Sequence, residues 1–240
     1  MKQNNNNLRI IWFSCSGAPF GAEILEHLRK LKPAILDDIS LVVLSKSKIK
    51  KVVDKNSNSQ RGRENSGVSK ALQWRINNIL FKLGTQYRLF LARFASQSFR
   101  RIEDFCFQYS KKVHITRDVN NDNTADIVTK LQPDLIIMTT FHHILKASIF
   151  NIPKISTVNV HPSYLPAYKG ADPINAVIAD GAAETGVTLH EVDEGIDTGK
   201  IISQRKVNLT GNVSEKRLRG MLALIAAELI VDYINQLQKH

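Results

Sequence analysis

The sequence predicts an α/β fold with a Rossmann-like, mostly parallel sheet that carries helices on both faces. Two observations lead to this prediction. Short runs of apolar, β-forming residues recur along the 240-residue chain without polar alternation, and residues with helical spacing lie between several of them. Unbroken apolar strands that alternate with helices are typical of a parallel sheet that is covered on both sides.

The first elements lie near the N-terminus. The run LRIIWFS predicts a strand, and a turn with Gly17, Pro19 and Gly21 follows it. The next apolar residues have helical spacing and predict a helix. Two more buried strands are predicted at 39–45 and 134–140, the latter after a crossover helix that ends before a proline.

The later strands predict a change of direction within the sheet. A strand is expected at 156–160, and the segments 186–192 and 200–207 alternate and are joined by a short connection. Such a pair is typical of antiparallel strands at one edge. A C-terminal helix is predicted at 214–238 with Ser214 as its N-cap. We therefore expect one α/β domain over residues 1–240.

The net charge of +11 is concentrated in one part of the chain. Residues 46–118 contain seventeen Lys and Arg against five Asp and Glu. We interpret residues 46–112 as an insertion made of a basic loop and basic amphipathic helices. Its cationic face is solvated or docks an anionic partner such as a nucleotide sugar, a carrier protein, RNA or an anionic membrane surface. Its aromatic residues also suit a core or a homodimer interface.

Several classes of protein and site are not expected. No apolar run has the length of a transmembrane segment, and the Asn-rich N-terminus does not resemble a signal peptide, so we expect a cytoplasmic protein. Cys15 and Cys106 lie far apart and do not form a CxxC motif. His142 and His143 lack further ligands at suitable spacing, so we expect no metal site.

The stretch NVHPSYLPAYKG suggests the chemistry of the protein. Asn159 and His161 lie two residues apart at the end of a predicted strand, so their side chains share one face. The carboxyl ends of parallel strands are where open α/β sheets bind ligands. Pro162 and Pro166 stiffen the loop that follows. This pattern indicates a shaped site with an amide and an imidazole beside each other.

A second polar loop, VDEGIDTGKI, connects the two predicted edge strands. A carboxylate from this loop, if it lies beside His161, would fix the imidazole and raise its pKa above about 6.5. Asn159 can donate to a developing oxyanion, His161 can exchange protons and Asp197 can orient His161. Together these groups suit acyl transfer to an amine without a covalent nucleophile.

The segment from NVHPSYLP through GVTLHEVDEGIDTGKI resembles the folate-dependent formyltransferase family, which carries an Asn-x-His-x-Ser-x-Leu-Pro stretch, a Gly-Val-Thr strand and an Asp-x-Gly loop. The resemblance implies a catalytic role for Asn159, His161 and Asp197. It also implies the binding of 10-formyltetrahydrofolate as co-substrate by two loops, with Phe141, His143, Ile144, Leu145, Val192, Asp193, Glu194 and Gly195. Substrate contacts are expected from Ser163, Gly17 and Gly170.

The reaction that this resemblance implies is transfer of a formyl group from 10-formyltetrahydrofolate to a primary amine of a small molecule. The candidate acceptors are a nucleotide-linked amino sugar, which is anionic, an amino acid or a peptide. Glycinamide ribonucleotide is the alternative acceptor, although the purine branch carries Ser-Gly-x-Gly-Ser-Asn where this chain has SCSGAPFG. A hydrolase that uses water remains open. A non-catalytic module that binds anions through the basic segment is the alternative from another class.

Overall fold

The computed structural model describes residues 7–45, 79, 82–84, 86 and 101–239. Within these residues seven strands form one sheet in the order β3-β2-β1-β4-β5-β6-β7. The strands are β1 (Ile10–Cys15), β2 (Ile39–Ser45), β3 (Lys112–Thr116), β4 (Leu135–Thr139), β5 (Ser156–His161), β6 (Glu184–Glu191) and β7 (Ile201–Asn208).

Helices connect and cover these strands. They are α1 (Pro19–Leu31), α2 (Ala34–Asp38), α3 (Ile102–Gln108), α4 (Asp122–Leu131), α5 (Ala147–Phe150), α6 (Pro173–Ala179) and α7 (Glu215–Leu237). The short helices α2, α5 and α6 lack a clear apolar period, which explains why the sequence does not predict them.

The direction of the strands confirms the predicted sheet. The pairs β3-β2, β2-β1, β1-β4 and β4-β5 are parallel, whereas β5-β6 and β6-β7 are antiparallel. Strands β2 and β3 lie on one side of β1, and the chain then crosses over so that β4 and β5 lie on the other side. The carboxyl ends of β1 and β4 therefore flank the topological switch point, where open α/β sheets bind ligands.

Two apolar clusters pack on opposite faces of the sheet. One contains buried side chains of α1, α3, α6 and α7 against residues such as Trp12 and Val158, and the other contains Val128 of α4 and Ile149 of α5 against residues such as Phe13 and Met138. Side chains of successive strand residues point to opposite faces, so each strand serves both clusters. This arrangement confirms a sheet with helices on both faces.

The last part of the predicted basic insertion belongs to the framework instead. Helix α3 buries Ile102 and Phe105 completely, and β3 pairs with β2 at the edge of the sheet. Helix α3 lies among the predicted amphipathic helices, but it packs in the core, and residues 112–116 form a strand of the sheet, so the predicted insertion over 46–112 is corrected at residues 102–112. The short, half-polar sequence of β3 and its basic neighbours conceal this strand. Most of the predicted loop and helices at 46–100 lie outside the described residues.

The C-terminal helix α7 packs on the core. Ser214 caps it by accepting a hydrogen bond from the Arg217 amide (3.4 Å), as predicted. Among the described residues, α7 is the helix long and apolar enough to cross a membrane, a test that core helices also pass. Its residues Leu218, Leu222 and Ile230 are buried in the cluster that includes α1, so α7 is a core helix.

Candidate active site

Two side chains project together from the end of β5. Asn159 and His161 alternate with Val158 and Val160, which are buried in the cluster on the α1 side of the sheet. The alternation places Asn159 and His161 on the opposite face, beside Met138 of the neighbouring strand. The structure therefore brings the predicted amide and imidazole together at the carboxyl edge of the parallel sheet.

His161 is 4% exposed and has a partner at each ring nitrogen. Its Nε2 is 2.8 Å from the carbonyl oxygen of Tyr168, and its Nδ1 is 3.5 Å from Asp197 Oδ2. A carbonyl oxygen only accepts, so Nε2 carries the hydrogen. In the neutral ring Nδ1 is then the free base, and Asp197 lies where it stabilises the ring once Nδ1 is protonated.

Burial lowers the pKa of His161 below its usual value. Asp197 and the hydrogen bond to Tyr168 raise that pKa, but burial outweighs them, and His190 lowers the pKa further. The sequence prediction of a raised pKa was therefore wrong, because it counted the carboxylate and not the loss of solvent. The ring is neutral at rest around neutral pH, which suits a proton acceptor.

Asp197 is held by several donors at the base of the loop between β6 and β7. The Gly170 amide donates to its Oδ2 (2.7 Å), and Asn159 Nδ2 donates to its Oδ1 (3.3 Å). Burial alone would raise the pKa of Asp197, but His190, the charge of His161 and the Gly170 amide hold that pKa below its ordinary value. Asp197 is therefore a carboxylate at neutral pH.

His190 is a buried residue of the site that the sequence reasoning missed. It lies opposite Asn159 in the antiparallel pair β5-β6, and it is 2% exposed. Its Nδ1 faces the Glu191 carbonyl oxygen (2.7 Å), whereas its Nε2 lies 3.2 Å from Asn159 Nδ2 and 3.4 Å from Asp197 Oδ1. The sequence predicted both strands but not the register between them. That register is what places His190 opposite Asn159.

The loop of residues 192–200 is folded by its own side chains. Asp193 Oδ1 accepts hydrogen bonds from the Gly195 amide (3.0 Å) and from the Thr198 hydroxyl (2.7 Å). At Gly199 a Cβ would collide with the carbonyl oxygen of Glu191, so a residue with a side chain does not fit. Asp193 therefore shapes the loop that presents Asp197, and the side chain of Glu194 is exposed.

The loop after β4 lies on the same face as Asn159 and His161. Phe141 packs in tilted contacts with the rings of Phe13 (centroids 5.6 Å apart) and His143 (5.4 Å). Phe141 and Val192, one from each loop predicted to bind folate, pack against the same apolar cluster. Leu145 is buried in that cluster, whereas Ile144 is 56% exposed.

The three predicted substrate contacts have different environments. Ser163 is fully buried, and its hydroxyl donates to the Ala167 carbonyl oxygen (2.6 Å), so it shapes the loop after β5. Gly170, with φ of 90°, uses its amide to hold Asp197. The Gly17 amide donates to the carboxylate of Glu103 (3.1 and 3.3 Å).

Cys15 and His142 lie beside each other but do not form a reactive thiol. Cys15 Sγ lies 3.4 Å from His142 Nδ1, but burial raises the pKa of Cys15 to about 11, so the thiol stays protonated. Over the described ranges, no group of three His, Cys, Asp or Glu side chains has the arrangement of a metal site.

Comparison with known proteins agrees with this site. The family model described as formyl transferase matches residues 92–234, which is more than half of the chain. The chain belongs to the formyl transferase family. The match covers β3 to β7 and most of α7, and it therefore includes all three residues Asn159, His161 and Asp197.

Individual formyl transferases show the same relationship over part of their length. The methionyl-tRNA formyltransferase of Clostridioides difficile (strain 630) is 40% identical over 114 residues, which is 48% of this chain and 37% of that protein. That of Kosmotoga olearia is 30% identical over 130 residues, or 54% of this chain and 42% of that protein. The chain thus spans less than half the length of these curated relatives.

Solved formyl transferase structures share the fold. The phosphoribosylglycinamide formyltransferase from Streptococcus pneumoniae TIGR4 has a TM-score of 0.61 at 16% identity and covers 96% of this chain and 98% of its own. The phosphoribosylglycinamide formyltransferase from Anaplasma phagocytophilum has a TM-score of 0.62 at 16% identity. The match covers 98% of this chain and 88% of that protein. At this identity the similarity shows the fold and leaves the substrate open.

Proposed function

We propose that this protein transfers the formyl group of 10-formyltetrahydrofolate to a primary amine. The observation that carries the proposal is the meeting of Asn159, His161 and Asp197 at the carboxyl edge of the sheet, in a chain of the formyl transferase family. A donor amide, a neutral buried imidazole and a carboxylate are the groups that acyl transfer to an amine requires.

His161 acts as the base in this proposal. The acceptor nitrogen forms a bond to the formyl carbon and loses a proton to His161 Nδ1. The imidazolium that forms is stabilised by Asp197, 3.5 Å away, and by the Tyr168 carbonyl oxygen at Nε2. When the bond between the formyl carbon and the donor nitrogen breaks, His161 returns the proton to that nitrogen, directly or through water.

Asn159 stabilises the charge that develops on the formyl oxygen. Its Nδ2 carries two hydrogens, and in the resting site these face His190 Nε2 and Asp197 Oδ1. When the formyl oxygen enters, one of these hydrogens turns to it while the other keeps the amide in place, and such stabilisation of an oxyanion supplies much of the rate enhancement in many acyl transfers. Asn159 thereby contributes to the rate rather than to the affinity for substrate.

The loop after β4 and the loop between β6 and β7 lie beside the triad of Asn159, His161 and Asp197, and their side chains suit a flat, mostly apolar ring. Ile144 on one loop is 56% exposed and Ile196 on the other is 55% exposed, and Phe141 and Val192 line the same face. Exposed apolar side chains that flank a polar site are typical of a small-molecule pocket. The co-substrate supplies the activated formyl group, and Phe141, His143, Ile144, Val192 and the 193–195 turn are the residues proposed to hold its ring.

A small-molecule amine remains our first proposal for the acceptor, with a nucleotide-linked amino sugar, an amino acid or a peptide as candidates. Methionyl-tRNA belongs in the same test because the matched curated relatives are methionyl-tRNA formyltransferases. We also keep residues 1–240 as one proposed domain, in which the basic segment of residues 46–100 docks an anionic part of the acceptor or its carrier.

The test is release of tetrahydrofolate from 10-formyltetrahydrofolate with a panel of amines: nucleotide-linked amino sugars, amino acids, glycinamide ribonucleotide and methionyl-tRNA. Each is assayed with the wild type and with Asn159→Ala. Release that needs both an amine and Asn159 supports the proposal and identifies the acceptor class. Formate release without any amine indicates a hydrolase, and no release with no folate binding refutes the proposal in favour of a non-catalytic module.

A further inference from the structure

The turn between β1 and α1 has the features of an anion-binding position. Gly17 has φ of 75°, and its amide points away from the strand toward the side chain of another helix. Helix α1 has thirteen residues, no acidic residue in its first turn and no side-chain cap at Ala18. The positive end of such a helix, at the switch point of the sheet, is stabilised by a negative charge.

The chain fills this position with its own carboxylate. Glu103 of α3 accepts hydrogen bonds from the Ser16 hydroxyl (2.8 Å) and from the Gly17 amide (3.1 Å). The residue is fully buried, although it is ionisable. Buried carboxylates are rare unless they are hydrogen-bonded, so this side chain is held in place by the turn.

The turn lies close enough to the proposed active site to contact an acceptor. Only β4 separates β1 from β5, and two strand spacings amount to about 10 Å. The Cys15 amide donates to the Thr140 carbonyl oxygen (3.2 Å), which ties the turn to the loop after β4. An acceptor that reaches His161 with its amine can therefore extend its other end toward Gly17.

We propose that Glu103 is a specificity-determining residue that excludes the phosphate of an acceptor from the turn between β1 and α1. Its carboxylate occupies the donors that a phosphate would use and repels a second negative charge beside them. The acceptor therefore presents a neutral or cationic group toward the turn, and any phosphate it carries binds elsewhere. The role of Glu103 in acceptor specificity rests on the proposed function. Whether Glu103 keeps phosphate out of the turn can be tested without any activity.

The experiment measures binding of inorganic phosphate at the turn by following the Gly17 amide signal in NMR spectra. Four proteins are compared: the wild type, Glu103→Ala, Glu103→Gln and the control Glu26→Gln. Glu103→Ala removes both the bulk and the charge, and Glu103→Gln removes the charge while keeping the size. Glu26 lies on α1 and pairs with Arg29 and Lys30, so its replacement changes the net charge equally.

We expect Glu103→Ala to bind phosphate at least about 10-fold more tightly than the wild type, as measured by the shift of the Gly17 signal, and Glu103→Gln to have an affinity between the two. Glu26→Gln should behave as the wild type. If Glu103→Ala does not fold, the gain in Glu103→Gln decides. The proposal is overturned if the wild type already binds phosphate at Gly17, if neither Glu103 variant gains binding, or if Glu26→Gln gains as much. These outcomes concern phosphate alone, so they are distinguishable from a failure of the formyl-transfer assay.

Discussion

The Nε2 atom of His190 lies 3.2 Å from the Nδ2 atom of Asn159, its direct neighbour across the antiparallel pair β5-β6. Nδ1 of His190 faces the Glu191 carbonyl oxygen (2.7 Å), which only accepts, so Nδ1 carries a hydrogen and Nε2 lies between the Asn159 amide and Asp197 Oδ1 (3.4 Å). In the tautomer with its hydrogen on Nδ1, His190 accepts from the Asn159 amide and holds its nitrogen toward β6. The orientation of the proposed oxyanion donor is set by the neighbouring strand.

Replacing His190 should therefore lower turnover through Asn159. We expect His190→Ala to reduce kcat about 10-fold, because Asn159 loses the acceptor that orients it. His190→Gln should lose less, since its amide oxygen can accept the same hydrogen. Steady-state kinetics with the acceptor found in the amine panel measures both variants. In the Asn159→Ala background His190→Ala should have little further effect, and an equal loss in both backgrounds would argue against this coupling.

His161 should be the residue on which turnover depends most. Its Nδ1 is the free base of the site, and His161→Ala removes the proton acceptor while leaving a space at the end of β5. We expect turnover to fall at least about a hundredfold with an unchanged circular dichroism spectrum. His27→Ala, on α1 and away from the triad, is the matched control and should retain wild-type turnover. Normal turnover in His161→Ala would refute the mechanism.

The sequence predicted the sheet better than it predicted the site. Apolar runs and helical spacing reveal strands and helices because they reflect burial, and they led correctly to the parallel sheet, its antiparallel edge and α7. Strand β3 escaped, since it has five residues and alternates polar with apolar side chains beside basic neighbours. Helix α3 was expected among the amphipathic helices, but its place in the core was not. Local pattern is a signal of burial only where enough residues share it.

Contacts between distant segments explain what the sequence reasoning missed at the site. Asn159, His161 and Asp197 were predicted as a set, and the structure brings them together. The place of His190 follows from the register of β5 and β6, and that of Glu103 follows from α3 packing beside α1. Likewise the pKa of His161 depends on burial by the whole fold, which outweighs the neighbouring carboxylate.

The pKa of His161 should be measurable below its usual value of about 6.5. NMR titration of the imidazole signals would show it, and turnover should fall as the pH drops through the same value because the base becomes protonated. Since the folded pKa is lowered, the neutral ring favours folding at higher pH, and this contribution declines as the pH falls below about 6.5. Asp197→Asn should lower the pKa of His161 further, because the carboxylate raises it. A pKa above 6.5 in the wild type would contradict the dominance of burial.

Gly199 should be required for the conformation of the loop that presents Asp197. A Cβ at this position would collide with the Glu191 carbonyl oxygen, so the backbone between β6 and β7 must move to admit alanine. We expect Gly199→Ala to lower the free energy of unfolding by about 1–3 kcal/mol and to reduce turnover, because Asp197 loses its place beside His161.

Gly220→Ala is the matched control for this loop variant. Gly220 lies within α7, where a Cβ would meet no atom within 4 Å, and alanine is the better helix former. Gly220→Ala should therefore raise the free energy of unfolding by about 1 kcal/mol and leave turnover unchanged. Urea denaturation of both variants beside the wild type provides the measurement. Gly199→Ala with wild-type stability and turnover would show that the loop tolerates a side chain there and that Asp197 is held by the Gly170 amide and Asn159 alone.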